Sequence, residues 1–183
     1  GPATILHAVQ QVLSPKAQNW GVTVTLNRYI NSAQTVRKTQ STNPQTFRSG
    51  PAGYLGYIYE GRVIRFNDRS FRRHLPLPKK LPKVDYIATY AGADGSGVRH
   101  AVDSGAKGLV IDGLGAGNVN AATFEAIKYA LSKDVAVVAS TRVKQGCLMA
   151  PVKLTGPKAR ILLMLALGNY GNNSEELNKL FDR

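Results

Sequence analysis

The feature that most constrains the fold is an alternation of strand-like and helix-like segments in the second half of the chain. Three runs rich in apolar and β-branched residues have the length of buried strands: 84–89, 108–111 and 135–139. A helix is predicted to begin near Ser96 and to end before Gly105, and a second one to begin at Asn120. This βαβαβ order predicts a small parallel sheet whose helices cover its faces.

The helices around this predicted sheet have apolar faces. One face of the helix that begins at Asn120 carries Phe124, Ile127 and Leu131. Pro157 precedes an apolar run at 158–167, which is predicted to be a buried helix. A last helix, with Ser174 as its predicted N-cap, turns three apolar residues toward the body: Leu177, Leu180 and Phe181.

The first sixty residues follow a different pattern. Residues 4–13 are predicted to form a helix with five apolar side chains on one face: Ile5, Leu6, Val9, Val12 and Leu13. An alternating run then predicts a half-buried strand with three residues on one side: Val22, Val24 and Leu26. The polar stretch 27–51 is predicted to be extended, and the β-rich runs around Glu60 and Gly61 predict a hairpin.

A basic segment separates the two patterns. Residues 62–80 hold seven Lys or Arg side chains against one acid, Asp68, and prolines stiffen its end. Phe66 and Phe71 lie among the arginines, and aromatic and basic side chains together bind nucleic acids. The net charge of +13 is also compatible with such a partner, but a solvated linker between two packing units is the favoured interpretation.

Several classes of site are excluded by the composition. A single cysteine, Cys147, allows no intrachain disulfide and no thiolate cluster, and three scattered histidines argue against a metal centre. No run approaches the roughly 20 consecutive apolar residues that cross a bilayer, so no membrane partner is expected. The chain begins Gly1-Pro2 without Met or a signal peptide, and its compartment, periplasmic or cytoplasmic, stays open.

Three local features carry candidate chemistry. The glycine run GLGAGN at 113–118 lacks the dinucleotide spacing, because its third glycine falls one residue early, and a tight structural turn is favoured. Asp94 follows the first strand of the parallel sheet, where it either orients a substrate amine or caps the next helix, with the cap favoured. Lys38 is an ordinary solvated lysine unless a carboxylate and a hydroxyl lie beside it, in which case it activates that hydroxyl.

Together these segments resemble the second part of the bacterial L-asparaginases, amidohydrolases that use a threonine nucleophile to convert asparagine to aspartate and ammonia. The matching segments occur in order along nearly the whole chain: 1–2 with 8–9, 35–39 (TVRKT), 53–58 (GYLGYI) with 61, 113–118, 140–142 (STR) and 157–167 (PKARILLMLAL). Their order and spacing carry the resemblance, rather than any one motif.

The resemblance implies a two-domain α/β enzyme that is usually a tetramer and uses no cofactor. Residues 1–61 then form the C-terminal remainder of a large N-terminal α/β domain. Residues 62–82 form the basic linker, and residues 83–183 form a small parallel-sheet, Rossmann-like domain. No metal ligand is implied. The expected partners are a small-molecule amide, L-asparagine and possibly L-glutamine, and further copies of the chain.

The resemblance also implies roles for particular residues. Lys38 falls on the family's catalytic lysine, which passes protons together with an aspartate and a threonine. Three further positions fall where the second domain of a neighbouring subunit closes the substrate pocket: Gly92, Ala93 and Asp94.

The chain departs from the family pattern at three places. The Thr-Gly-Gly-Thr and Gly-Thr-Asp segments, which carry the catalytic threonines and aspartate, are absent. Gly92 stands where many members have an asparagine that contacts the substrate, and the segment between Gly146 and Leu154 is short and lacks an expected glutamate. Since Lys38 has no hydroxyl to activate, the 183-residue chain alone is predicted to be inactive until an N-terminal piece is supplied.

The sequence therefore predicts asparaginase-type amide hydrolysis, and it leaves two alternatives open. One is the amidase-like subunit of a transfer-RNA-dependent amidotransferase, for which the positive charge suits nearby RNA. The other is a non-catalytic homologue that binds a partner or nucleic acid through the basic linker. Binding to phosphates weakens steeply as salt rises, whereas amide hydrolysis does not, so salt dependence separates these classes.

Overall fold

The structure is a computed structural model that describes residues 1–68, 74–143 and 154–181. The chain divides into two compact units, Gly1–Arg73 and His74–Arg183. Several features named in the sequence lie outside the described residues: Arg69, Phe71, Arg72, Arg73, Cys147 and the short segment before Leu154.

The first unit consists of a helix, two short 3₁₀ turns and six strands. The helix is α1 (Pro2–Leu13), and the 3₁₀ turns are Pro15–Ala17 and Gly50–Ala52. The strands are β1 (Thr23–Leu26), β2 (Tyr29–Ser32), β3 (Arg37–Lys38), β4 (Phe47–Arg48), β5 (Gly56–Tyr59) and β6 (Arg62–Arg65). Four of them form an antiparallel sheet in the order β1-β2-β5-β6, and β3 pairs with β4 as a separate ribbon.

The hairpin predicted around Glu60 and Gly61 joins β5 to β6. Both turn residues have positive φ, 47° and 75°, as the tight hairpin turn with two left-handed residues requires. The second strand, Arg62–Arg65, falls in the stretch predicted to be linker. It belongs to the sheet instead, because Val63 is buried in the core of this unit together with Trp20, Ile30, Leu55 and Ile58.

Helix α1 forms where it was predicted, but its apolar face points to solvent. The five apolar side chains on that face remain exposed, from 49% at Val9 to 82% at Val12. The one buried residue of the helix is polar: Gln11 donates from Nε2 to Thr23 Oγ1 at 2.7 Å and accepts from the hydroxyl of Thr25. The helix therefore packs on β1 through its polar side.

The second unit confirms the predicted α/β fold with a parallel βαβαβ arrangement. Its elements are β7 (Val84–Ala88), α2 (Ser96–Asp103), β8 (Gly108–Gly113), α3 (Ala121–Ser132), β9 (Ala136–Thr141), α4 (Gly156–Tyr170) and α5 (Ser174–Phe181). The strands pair in parallel in the order β7-β8-β9. All six residues of β8 are buried, since it has a strand on each side and helices on both faces.

Two apolar layers cover the parallel sheet. On one face α4 and α5 pack through Ala159, Leu163, Ala166, Leu167, Leu177 and Phe181. On the other face α2 and α3 pack through Val98, Ala101, Val102, Ala126 and Ala130. Helix α4 also lies close to β8 at Gly108, where a Cβ would lie 2.7 Å from Leu167 Cδ1 and 2.9 Å from Leu163 Cδ2.

Helix α3 packs through a different face from the one that its large side chains suggest. Phe124 and Leu131 are 50% and 57% exposed, and the buried residues are the smaller Thr123, Ala126 and Ala130. Small side chains let α3 approach α2 closely: a Cβ at Gly95 would lie 2.8 Å from Ala126 Cβ. The exposed aromatic ring is covered on one side by the ammonium of Lys128, 4.9 Å from its centroid.

The last helix is capped by the residue before the predicted one. Asn173 Oδ1 accepts hydrogen bonds from the backbone N–H groups of Glu175 and Glu176, at 3.1 and 3.2 Å. Ser174 is the first residue of the helix itself. Asparagine and serine are similar in strength as N-caps, so the sequence alone did not distinguish them.

Candidate functional site

The candidate site of the second unit lies at the carboxyl ends of its parallel strands. Ligands of open α/β sheets bind at this edge, where the loops that follow the strands converge. Thr89, directly after β7, donates from both its backbone N–H and its hydroxyl to the carbonyl of Asp112, each at 3.0 Å. The side chain of Arg142, directly after β9, donates to the carbonyl of Thr89. These bonds hold the ends of the three strands together.

The loop after β7 contains the predicted substrate contacts. Gly92 has φ of 82°, and a Cβ there would meet no atom within 4 Å, so this glycine serves the backbone conformation rather than close packing. Ala93 donates from its N–H to the carbonyl of Tyr90 at 3.1 Å, which closes a tight turn. The loop thus has a defined shape, with Gly92 and Asp94 exposed at its surface.

The sequence favoured Asp94 as the cap of α2, but the N-cap is Gly95, and Asp94 lies one residue before it and bonds to Ser96, the first residue of the helix. Its Oδ1 accepts from the N–H of Ser96 at 2.9 Å and from the Ser96 hydroxyl at 2.6 Å. These hydrogen bonds to the ionised form, the one from the hydroxyl first, hold the pKa of Asp94 below its usual value of 3.8. The carboxylate is therefore a fixed negative charge at the loop surface near neutral pH.

Asn120 links this loop to α3, a connection that the sequence analysis missed. Its Oδ1 caps α3 by accepting from the N–H of Thr123 at 2.9 Å, and its Nδ2 donates to the carbonyl of Ala93 at 2.7 Å. The cap is readable from an asparagine before a helix. The second bond spans 27 residues, and no local sequence signal reports it.

A second missed feature is a Tyr–Asp pair at the same edge of the sheet. The Tyr86 hydroxyl donates to Oδ2 of Asp112 at 2.6 Å, and Asp112 is only 5% exposed. Partial burial of the phenol, its hydrogen bond to the carboxylate and the carboxylate's charge raise the pKa of Tyr86 to about 12. In the sequence Asp112 simply ends an apolar strand, and this position gives no sign of its partner.

The glycine run after β8 forms a closed turn, as the sequence favoured. Leu114 and Asn118 exchange backbone hydrogen bonds of 2.8 Å in both directions, and Gly117 donates to the carbonyl of Leu114 at 2.9 Å. Thr141 Oγ1 donates to the carbonyl of Gly115 at 2.5 Å and ties the turn to β9. These backbone N–H groups bond within the turn, so they do not form a phosphate cradle.

Lys38 lies in the first unit, on the short ribbon of β3 and β4, where it pairs with Phe47. Its side chain is exposed, and among the described residues no hydrogen bond or ion pair reaches its ammonium group. The ribbon is closed just beyond it, where Thr39 donates from its N–H and its hydroxyl to the carbonyl of Thr46, at 2.8 and 2.9 Å. Lys38 thus belongs to one compact unit, and Gly92, Ala93 and Asp94 belong to the other.

Two other kinds of feature are absent from the residues that the structure describes. In residues 1–68, 74–143 and 154–181, no three His, Cys, Asp or Glu side chains are arranged to hold a metal ion. Within the same ranges, none of the helices combines the length and the apolar character needed to cross a membrane.

The fold and the site define an α/β chain with an open parallel sheet and an ordered polar loop at its carboxyl edge. Comparison with known families identifies it further. Residues 1–72 match the family model "Asparaginase, N-terminal", and residues 83–181 match "Glutaminase/Asparaginase C-terminal domain". The chain belongs to the asparaginase family, which confirms the resemblance found in the sequence.

Individual relatives agree with this assignment. L-asparaginase 2 of Bacillus subtilis (strain 168) is 37% identical over 201 residues, covering 100% of this chain and 52% of the relative. L-asparaginase 2 of Escherichia coli (strain K12) is 30% identical and covers 100% of this chain and 58% of the relative. The crystal structure of a probable cytoplasmic L-asparaginase from Campylobacter jejuni matches with a TM-score of 0.92 at 33% identity, over 99% of this chain and 61% of that one. The chain thus spans little more than half the length of these relatives.

Proposed function

We propose that this chain supplies part of an asparaginase-type amidohydrolase, which hydrolyses the side-chain amide of L-asparagine to aspartate and ammonia. The observation that carries the proposal is the pair of family matches, which follow one another over residues 1–72 and 83–181. Relatives that match the full length of this chain are named L-asparaginase. L-Glutamine, whose amide is one methylene further from the α-carbon, is the second substrate to test.

In the proposed reaction Lys38 transfers a proton. The nucleophile is a threonine hydroxyl from the family segments that this sequence lacks. The threonine hydroxyl attacks the amide carbonyl while its proton passes by way of Lys38 to the amide nitrogen, and the C–N bond then breaks to release ammonia. Water hydrolyses the acyl intermediate to aspartate and returns a proton to the threonine oxygen. An exposed Lys38 without a bonded partner is compatible with this role only when those segments cover it. We therefore expect the 183-residue chain alone to release no ammonia from asparagine.

The experiment supplies the threonine-bearing segments from a relative and measures the release of ammonia from asparagine. The full chain is mixed or co-expressed with the portion of Bacillus subtilis L-asparaginase 2 that precedes the region aligned with it. Ammonia release is expected for the pair, and Lys38→Met is expected to lower it by about 10²–10⁴-fold, the usual contribution of a proton-transfer group. Lys80→Met, which removes another exposed lysine, is the matched control and should leave the rate unchanged.

The loop of Gly92, Ala93 and Asp94 is proposed to close the substrate pocket of a neighbouring subunit in a homo-oligomer. Asp94 offers a fixed negative charge that suits the ammonium group of an amino-acid substrate. In the active pair, Asp94→Asn is expected to raise KM for asparagine, whereas Ser96→Ala keeps the carboxylate and should change KM much less. Equal effects of both variants, confined to thermal stability, would leave Asp94 with the capping role alone.

Nucleic-acid binding is the second candidate function, because the first 73 residues hold ten Lys or Arg side chains and only two acids, Glu60 and Asp68. This positive charge would bind RNA phosphates in either of two kinds of protein. One is the amidase-like subunit of a transfer-RNA-dependent amidotransferase, and the other is a non-catalytic homologue that binds nucleic acid. Binding of transfer RNA should then be tight at low salt and weaken steeply at moderate salt. Salt-insensitive or undetectable binding rejects this candidate.

A further inference from the structure

A cavity of about 160 Å³ lies in the second unit, between the loop after β7 and the first turns of α2 and α3. Buried residues form its floor, Thr89, Val98 and Thr123, and exposed residues stand at its rim, among them Tyr90 and Asp94. The volume equals that of roughly five waters at about 30 Å³ each, so it exceeds what a single structural water fills.

Thr123 has an unused polar group at the floor of this cavity. The residue is 1% exposed, and its hydroxyl has no hydrogen-bond partner among the described residues. Its N–H already donates to the Asn120 cap, so the hydroxyl alone is left over. A buried hydroxyl without a partner costs free energy, and the great majority of buried polar groups are paired. This hydroxyl therefore indicates a ligand in the cavity.

The start of α2 supplies a second unused donor. The first N–H groups of a helix have no acceptor within the helix itself. Ser96 donates its N–H to Asp94, whereas the N–H of Gly97 has no acceptor in the part of the chain that the structure describes. The positive end of the helix dipole also favours an anionic group here. A carboxylate that accepts from Gly97 and from the Thr123 hydroxyl would use both donors.

The rim of the cavity favours a positive charge. Asp94 accepts both bonds from Ser96 on Oδ1, and no described group donates to its Oδ2. Tyr90, which is 64% exposed, adds an aromatic ring, and the faces of such rings attract cations. A simple anion in the cavity would be repelled by Asp94, and a simple cation would be opposed by the helix end. A ligand that carries both charges avoids both penalties.

We propose that this cavity binds a small α-amino acid as a zwitterion, with its carboxylate on Gly97 and Thr123 and its ammonium group at Asp94. An α-amino acid carries both charges on one carbon, which suits a cavity of this size. Ile87 and Val98 line the remaining wall, so the side chain that fits is small and apolar, as in alanine. The site needs no segment from another protein and is tested on this chain alone.

The test titrates the full chain with L-alanine and follows the backbone amides of Gly95 and Gly97 by NMR, with Kd measured by calorimetry. Saturable binding is expected. Acetate and methylammonium each carry one of the two charges and should bind more weakly by about tenfold or more, the usual effect of losing a hydrogen bond to a charged group. L-Phenylalanine, whose side chain exceeds the space, should bind more weakly still.

The decisive variant is Thr123→Val, which keeps the shape of the side chain and removes the hydroxyl. Kd for L-alanine should rise by about tenfold or more, while the free energy of unfolding without ligand stays unchanged or rises, because an unpartnered buried hydroxyl is removed. A hydroxyl that only stabilised the fold would give the opposite change in stability. Thr155→Val is the matched control, since the Thr155 side chain does not cap α4, and it should leave Kd unchanged.

A second variant, Asp94→Asn, tests the ammonium end. It keeps an oxygen for the bonds from Ser96 but removes the charge. L-Alanine should bind about tenfold more weakly or worse, whereas acetate should bind more tightly because the repulsion is gone. If Thr123→Val fails to fold, this reversal decides alone.

Binding of L-alanine that Thr123→Val and Asp94→Asn both weaken supports the proposal. Absence of L-alanine binding leaves the cavity to ordered water and overturns it. Binding that neither variant weakens places the amino acid elsewhere and also overturns it. Acetate that binds as tightly as L-alanine to the unmodified chain shows an anion site instead, which likewise overturns the proposal.

Discussion

The hydroxyl of Tyr86 and the Oδ2 atom of Asp112 lie 2.6 Å apart across two neighbouring parallel strands. In the register of these strands Tyr86 is opposite Val110 and Asp112 is opposite Ala88, so the phenol reaches diagonally along the sheet. Asp112 is buried and accepts this bond from Tyr86, which makes the pair a pH-sensitive contact within the candidate site.

The first prediction concerns the titration of Tyr86. Its pKa is raised from 10.0 to about 12, so the folded state keeps the proton that the unfolded state loses near pH 10. The stabilisation is fully present below pH 10 and is lost as the pH rises toward 12. An ultraviolet pH titration of the folded chain should show late ionisation of Tyr86 and also of Tyr129, whose hydrogen bond to Asp103 raises its pKa. Tyr86→Phe should remove the part of the late titration that belongs to Tyr86.

Asp112→Asn provides the matched control for this titration. Without the negative charge, Tyr86 should ionise closer to its usual pKa, and the loss of stability between pH 10 and 12 should become smaller. A late titration that keeps its full amplitude in both Tyr86→Phe and Asp112→Asn would assign the pKa of about 12 to another residue.

The second prediction concerns Gly156, at the start of α4. A Cβ there would overlap the Tyr86 ring, with the Cδ2 atom 2.8 Å away and Cε2 closer still. Gly156→Ala is therefore expected to destabilise the chain by about 1–3 kcal/mol, the usual cost of overpacking. Urea denaturation measures this change.

Gly97→Ala is the control for that substitution. Gly97 lies in α2, and the nearest atom to its added Cβ is 4.0 Å away. Alanine is expected to be neutral or to stabilise the helix by up to about 1 kcal/mol. If Gly156→Ala and Gly97→Ala change the free energy of unfolding equally, the Tyr86 ring does not restrict the size of the side chain at position 156.

The third prediction separates the two bonds of Asn120. Asn120→Ala removes both the cap of α3 and the bond to Ala93, and should lower the free energy of unfolding by roughly 1–2 kcal/mol. Asn120→Asp retains an oxygen for the cap but loses the donor to Ala93, so it should cost less. It should nevertheless speed hydrogen exchange in the loop after β7. An Asn120→Asp variant that is as stable as the unmodified chain, with unchanged hydrogen exchange in the loop, would contradict a separate role for the bond to Ala93.

The fourth prediction concerns acid. The pKa of Asp94 is lowered by its bonds to Ser96, so its stabilising contribution is present above its usual pKa of 3.8 and is lost as the pH falls. The melting temperature of Asp94→Ala should lie below that of the unmodified chain at pH 7, and the difference should shrink as the pH falls below 3.8. Ser96→Ala, which removes the hydroxyl bond alone, should give an intermediate difference at pH 7.

The fold of the second unit was predictable because its determinants are local. Strand-length apolar runs, Gly105 after α2 with φ of 84° and Asn120 before α3 each act within a few residues. Which helical face packs was not predictable from side-chain size, because the neighbour decides it. The buried face of α3 carries alanines because α2 packs close to it. The buried face of α1 carries Gln11 because its amide bonds to the hydroxyls of Thr23 and Thr25.

The candidate site was less accessible from sequence. The loop of Gly92 and Asp94 was recognised because it follows a strand, and the bond from Ser96 to Asp94 is local. The contacts of Asn120 with Ala93 and of Tyr86 with Asp112 join residues 27 and 26 positions apart. Such pairs depend on how strands and helices align in three dimensions, which periodicity does not specify. The role of Lys38 stays a prediction.

The closeness of α4 to β8 at Gly108 has a consequence for the evolution of this fold. Since Leu163 and Leu167 occupy the volume that a side chain at 108 would need, the three positions share one fixed space. A homologue that acquires alanine or valine at 108 is expected to carry smaller residues at 163 or 167. Position 108 should therefore covary with positions 163 and 167 among relatives, although it lies more than fifty residues before them in the chain.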